Sequence, residues 1–239
     1  MATREEYVEK VRKLLAKAES TTVQAEADAF FAKAAELITQ WRIEEAELAA
    51  TGPRDETPTK TSVHLGTYTP KVDCLAMATI MEALGVKVAF QAYGGPGRPP
   101  AAWLYGFAGD VEKALLLWTS VSFQLAGACR VAEGNTTTRN RNDVRVFRQS
   151  FKLGYAQRVG KRLGEAKTAA AAAYTGGQGL VLLANRAAVV HAFMREEVSP
   201  GRRSAIKVDA RAKNSGWTAG GAADLGGSRL GGQTKGALS

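Results

Sequence analysis

From Phe147 to Ala166 the chain reads FRQSFKLGYAQRVGKRLGEA, and Phe147, Phe151, Tyr155, Val159 and Leu163 recur at every fourth position. At 3.6 residues per turn this spacing keeps returning to one side of a helix, and it predicts an apolar ridge that lies in a groove of the core. Leu153, Gly160 and Gly164 fall together on another side, where missing side chains let a second helix or a backbone come close. Each interior glycine costs about 1 kcal/mol against alanine, a loss that close packing offsets. Five cations, Arg148, Lys152, Arg158, Lys161 and Arg162, border the ridge, and between Val144 and Ala166 the acid is Glu165 alone. A helix decorated for solubility mixes Glu with Lys at neighbouring turns, and this one does not.

The same imbalance holds across the C-terminal part. Residues 1–60 carry 9 basic and 12 acidic side chains, 61–134 carry 5 of each, and 135–239 carry 18 basic and 6 acidic. The whole excess of +9 therefore lies in the last 105 residues, which points to a polyanionic partner, nucleic acid first. The stretch SPGRRSAIKVDARAKN adds Arg202, Arg203, Lys207, Arg211 and Lys213, and Trp217 is the sole aromatic of the last 26 residues, which hold eight glycines. Read as a basic flexible tail, this segment follows a phosphate backbone while Trp217 stacks on a base.

Upstream, Tyr7, Val11, Leu14, Leu15 and Ala18 are spaced for an amphipathic helix over 4–19. Thr21 and Gln24 have the spacing of a capping box that opens a second helix with Ala27, Phe30, Phe31, Ala34, Leu37, Ile38 and Trp41 inward. So short a connection makes the two pack antiparallel. A short third helix is expected at 44–50, then a linker in TGPRDETPTKTS. Pro70 opens a helix that Gly85 ends; VKVAFQAY and AAWLYGFAG read as antiparallel strands around a GGPGRPP loop, and SVHLGTY as a third. Asp73 and Asp110 sit near helix starts and read as caps, Asp110 opening a long apolar helix through Val131. The fold class expected is α+β: a helical hairpin over 1–50, a linker over 51–62, an α+β domain over 63–197 with a small antiparallel sheet, packed helices, the long basic helix and a further helix, and a basic Gly-rich tail over 198–239.

EKVRKLLAKAES followed by AEADAFFAKAAELITQWRI resembles the short helical module catalogued as domain of unknown function 2786, found in actinobacteria and their phages. The resemblance covers roughly residues 5–45 and rests on Leu-Leu-Ala-x-Ala-Glu, then Glu-Ala-x-x-x-x-x-Lys-Ala. FKLGYAQRVGKRLGEA, LVLLANRAAVVHAF and GWTAGGAADLGG resemble the segments that accompany this module. The resemblance implies a phage or actinobacterial setting. No activity is established for the family, so it supplies no catalytic residue.

The motifs of nucleotide loops, zinc proteases, nucleophile elbows and C-x-x-C sites are absent from the sequence. No run of apolar residues approaches the roughly 20 needed to cross a bilayer, and the start lacks a signal-peptide core, so a cytoplasmic location and no membrane partner are expected. Cys74 and Cys129 read as buried thiols. No catalytic residue, metal ligand or cofactor is assigned. The leading expectation is a non-enzymatic, non-specific nucleic-acid-binding protein using Arg148, Lys152, Arg158, Lys161, Arg162, Arg202, Arg203, Lys207, Arg211, Lys213 and Trp217. The alternatives are a phage structural or host-interacting protein–protein module that meets its partner through the N-terminal hairpin, and a metal-dependent hydrolase or nuclease. With His64 and His191 far apart and no ligand spacing, elemental analysis is expected to find no stoichiometric zinc, and chelator should leave Tm unchanged. One zinc per chain would mean that the histidines are misread.

Overall fold

The computed structural model describes residues 4–20, 24–51, 57–65, 69–92, 99–136, 140–174, 178–198 and 205–223. Helices α1 (Arg4–Ser20) and α2 (Gln24–Thr51) are antiparallel, since Tyr7 Oη donates to Glu44 Oε1 at 2.7 Å near one end and Lys17 lies over the Phe30 ring near the other. Strand β1 (Thr59–His64) follows, then α3 (Pro70–Ala83), β2 (Lys87–Gln91) and β3 (Ala101–Gly106). Helices α4 (Ala108–Gly134), α5 (Arg141–Ala173), α6 (Gly179–Glu197) and α7 (Ala210–Gly221) complete the α+β fold.

The sheet has β3 in the middle, antiparallel to both neighbours, with Ser62 and Ala89 flanking Trp103. Side chains alternate across a strand, so Ala102 and Leu104 enter the main core, while Trp103 and Tyr105 face Val190, Phe193 and Met194 of α6. The main core is shared by all parts of the chain. Val11, Leu15, Ala34 and Ile38 of the hairpin meet Met77 and Ile80 of α3, Leu117, Val121 and Leu125 of α4, and the α5 ridge.

That ridge forms as its spacing predicts. Phe151, Tyr155, Val159 and Leu163 are buried, and the Phe147, Phe151 and Tyr155 rings stack along it at 6.1 and 6.4 Å. Asn140 starts α5 early, its side chain accepting from the Asn142 and Asp143 amides at 2.9 and 3.0 Å.

Several local expectations change. Residues 44–50 continue α2 instead of forming a third helix, because no breaker separates them from Trp41. β1 begins at Thr59, inside the stretch read as a linker, because Thr59–His64 can pair with β3. Asp73 and Asp110 are first-turn residues whose carboxylates are buried against cations; the caps are Thr69 and Phe107. By length and composition α4 does suffice to cross a membrane, because within it an 18-residue stretch reaches a mean hydropathy of 1.3 although Ser, Thr, Gln and Gly interrupt its apolar run. The Thr21/Gln24 cap and most of the GGPGRPP loop lie outside the described residues.

The largest departure is the supposed tail, of which residues 210–221 are helix. Its buried residues Ala212, Gly216 and Gly220 recur at every fourth position and face α5. A Cβ on Gly216 would fall 2.0 Å from the Phe151 carbonyl oxygen, one on Gly154 1.9 Å from that of Lys213, and one on Gly220 2.7 Å from that of Tyr155. The glycines are what allow the two backbones to touch. Gly160 plays this part against Thr79 of α3, whereas nothing lies within 4 Å of a Cβ on Gly164. Gly154→Ala is accordingly expected to cost about 2–3 kcal/mol or detach α7. Gly164→Ala should add about 0.5–1 kcal/mol through helix propensity and a less flexible unfolded chain. Thermal unfolding of the two variants checks the contrast, and equal effects would remove the close crossing from the account.

Candidate nucleic-acid interface

α5 and α7 run parallel, since their contacts advance together from Ser150 with Asp209 to Arg162 with Ala223. At the start, the Asp209 amide donates to Ser150 Oγ at 2.8 Å, and Asp209 Oδ1 caps the Ala212 amide at 2.7 Å. At the end, Arg162 Nη1 donates to the carbonyls of Gly220, Gly221 and Ala223 at 3.3, 3.5 and 3.0 Å. The first two are carbonyls that a helix end leaves without partners, the third lies just beyond it, and a guanidinium there also matches the negative end of the dipole.

Arg162 therefore closes α7 rather than facing outward. Two more of the cations flanking the ridge have acid partners within the fold, Lys152 in a largely buried pair and Arg148 in an exposed one. Lys152 donates to Asp73 Oδ1 at 2.5 Å and to Thr69 Oγ1 at 3.0 Å, tying α5 to the start of α3 in a largely buried pair. Arg148 donates to Glu133 of α4 through Nε and Nη2 at 2.6 and 2.9 Å, and this hydrogen bonding raises its pKa above the ordinary arginine value. Arg148, Lys152 and Arg162 thus each have partners within the fold that are distant in sequence, Arg148 at the surface and Lys152 largely buried.

Of the remaining two on this helix, Arg158 is half-buried and Lys161 exposed. The Arg158 guanidinium sits 5.6 Å from the centre of the Trp217 ring, and Trp217 is 36% exposed. Lys161 follows one turn along α5, exposed, with Glu165 at 3.8 Å. Lys207 and Arg211 are exposed before and at the start of α7, and Lys213, half-buried, lies one turn before Trp217. Arg202 and Arg203 lie outside the described residues. An exposed ring beside a cation, with further cations along two parallel helices, can stack on a base and neutralise phosphates.

Among the described residues no three His, Cys, Asp or Glu side chains come together in a way that could hold a metal ion. His64 on β1 and His191 on α6 are both exposed. Cys74 and Cys129 are buried, and burial pushes their thiols up to about 12 and about 11, so both are protonated near neutral pH. A further buried cluster escapes sequence reading: Asp110 of α4 meets Arg42 of α2 at 3.4 Å and Arg186 of α6 at 3.1 Å. Burial pushes the Arg42 pKa down, Arg186 adds to this and Asp110 opposes it. Single charges inside the apolar runs ITQWRI and LLANRAAVV are the signal that marks such pairs.

The family model described as protein of unknown function (DUF2786) matches residues 6–50, the α1–α2 hairpin. No curated protein and no solved structure matches the chain.

The two kinds of cation separate by mutation. Lys152→Gln leaves Asp73 in a largely buried site without its ammonium, and is expected to cost about 1–3 kcal/mol, below the full figure for a dry interior. Lys207→Gln with Arg211→Gln should stay within about 0.5 kcal/mol of the parent. Denaturant unfolding measures both, and a neutral Lys152→Gln would return that lysine to the set available for a partner.

Proposed function

We propose that the chain is a non-enzymatic, nucleic-acid-associated protein of a bacterial cytoplasm, in a phage or actinobacterial setting, that binds phosphate backbone without sequence specificity through α5, α7 and the segment before α7. The observation that carries the reading is the Arg158–Trp217 pair at the border of the two helices, with Lys161 on α5, Arg211 and Lys213 on α7 and Lys207 just before it. The net +12 of residues 135–239 supports it. Cations attract the polyanion over the whole surface, and the indole adds contact with an unpaired base.

A second reading, a protein–protein module, is favoured by α4. Phe123 and Val131 stand 70% and 68% exposed on its outer side, and side chains this apolar are commonly covered by a partner.

Binding to an oligonucleotide, titrated against salt, tests the first reading. If Arg158, Lys161, Lys207, Arg211 and Lys213 each neutralise one phosphate of a duplex, log affinity should fall with log salt at a slope of about −4 to −5. Trp217→Ala should weaken single-strand binding by about 1–3 kcal/mol and leave that slope unchanged. A flat salt response sinks the reading.

A further inference from the structure

Along the family-matched hairpin, α1 and α2 leave a surface groove of about 610 Å³. Its floor is Leu14, Ala16 and Leu37, and its rim is four lysines, Lys10, Lys13, Lys17 and Lys33, with no acid among the described residues that line it. Residues 1–60 are net acidic, so this rim runs against the charge of its own region. Lys10, Lys13 and Lys17 recur at i, i+3 and i+7, which spreads them over about 10 Å of one face of α1. Neighbouring side chains hold all four: Lys10 lies 5.9 Å from the Tyr7 ring centre and Lys17 6.0 Å from that of Phe30, while Lys13 pairs with Glu9 at 3.7 Å and Lys33 with Glu36 at 2.9 Å. All four lysines remain exposed.

We propose that this groove docks an acidic amphipathic helix of a partner protein. The chemistry of the lining selects that occupant. Side chains of Leu and Ala offer no hydrogen bond, and a lysine ammonium only donates. An extended peptide laid here would find no acceptor for the amides that face the floor, whereas a helix satisfies its own. Leucines of the partner cover the floor, and carboxylates on either side of them meet the ammonium groups, the pattern of a helix in a groove. Four separated cations exceed what the single head group of a fatty acid engages. The apolar floor gives nothing to a phosphate backbone, which would meet only the lysine rim.

The test uses the full chain and a fluorescent synthetic peptide of two heptads with leucines at i, i+3, i+4 and i+7 bordered by glutamates. Its counterpart carries lysines in place of the glutamates. The glutamate peptide is expected to bind at least about tenfold more tightly than the lysine peptide, with weaker binding at higher salt. Amide chemical shifts of the unmutated protein should move over residues 10–17 and 33–37. The quadruple variant Lys10→Gln, Lys13→Gln, Lys17→Gln and Lys33→Gln should lose that preference. Binding of neither peptide, equal binding of both, or shifts confined to other helices each overturns the proposal. Displacement of the peptide by laurate, with shifts at these same residues, reassigns the groove to a fatty acid. Displacement by a single-stranded oligonucleotide reassigns it to nucleic acid. The chemical shifts decide the matter even where the quadruple variant fails to fold, and neither result bears on the salt dependence of nucleic-acid binding at α5 and α7.

Discussion

One carboxylate ties together helices that are far apart in the chain. Asp110, in the first turn of α4, lies between Arg42 of α2 and Arg186 of α6, and all three side chains are buried. An unpaired charge in such a place is very costly, so each cation holds its helix against the others as long as the carboxylate is there. The positive end of the α4 dipole favours the anion at that position. Arg186 also lies over the Phe107 ring at 3.6 Å, and Lys113 over the Trp41 ring at 3.3 Å, so aromatic faces share the work of housing the positive charge. The family-matched hairpin is thereby part of the same folded body as the sheet and the later helices.

Around that anchor, α5 acts as the hub. Its ridge fills the core between α2, α3 and α4, and its glycine side receives α7. The order of the basic segment follows from this contact. Small residues at 212, 216 and 220 have too little apolar area to hold a helix by the hydrophobic effect alone. Close backbone approach, the Ser150 and Asp209 hydrogen bonds and the Arg162 cap compensate. A segment whose composition resembles a linker is therefore a helix, and it presents Trp217 at a defined place beside Arg158.

The docking of α7 also sorts the cations. Sequence alone treats Arg148, Lys152, Arg158, Lys161 and Arg162 as one group, because all border the same ridge. In the fold they diverge: Arg162 serves α7, Lys152 serves Asp73, Arg148 pairs with Glu133 at the surface, Arg158 lies half-buried beside Trp217, and Lys161 is exposed. Net charge governs attraction at long range, but the local partner decides whether a given side chain can reach a phosphate.

What the sequence determined by itself is whatever depends on neighbours a few residues away. The α5 ridge, the helix from Pro70 to the turn at Gly85, the two strands that pair around Trp103 and the antiparallel hairpin were all legible, because helix and strand periods repeat within a dozen residues. The bias of charge toward residues 135–239 was legible as a count. Tertiary structure decided the rest. Asp73 and Asp110 look like caps until Lys152, Arg42 and Arg186 arrive from 79, 68 and 76 residues away. Gly154 and Gly216 look like helix-weakening residues until their backbones meet. Such contacts join parts of the chain that no local period relates, and a buried charge or a missing side chain acquires its meaning only from the group that fills the space beside it.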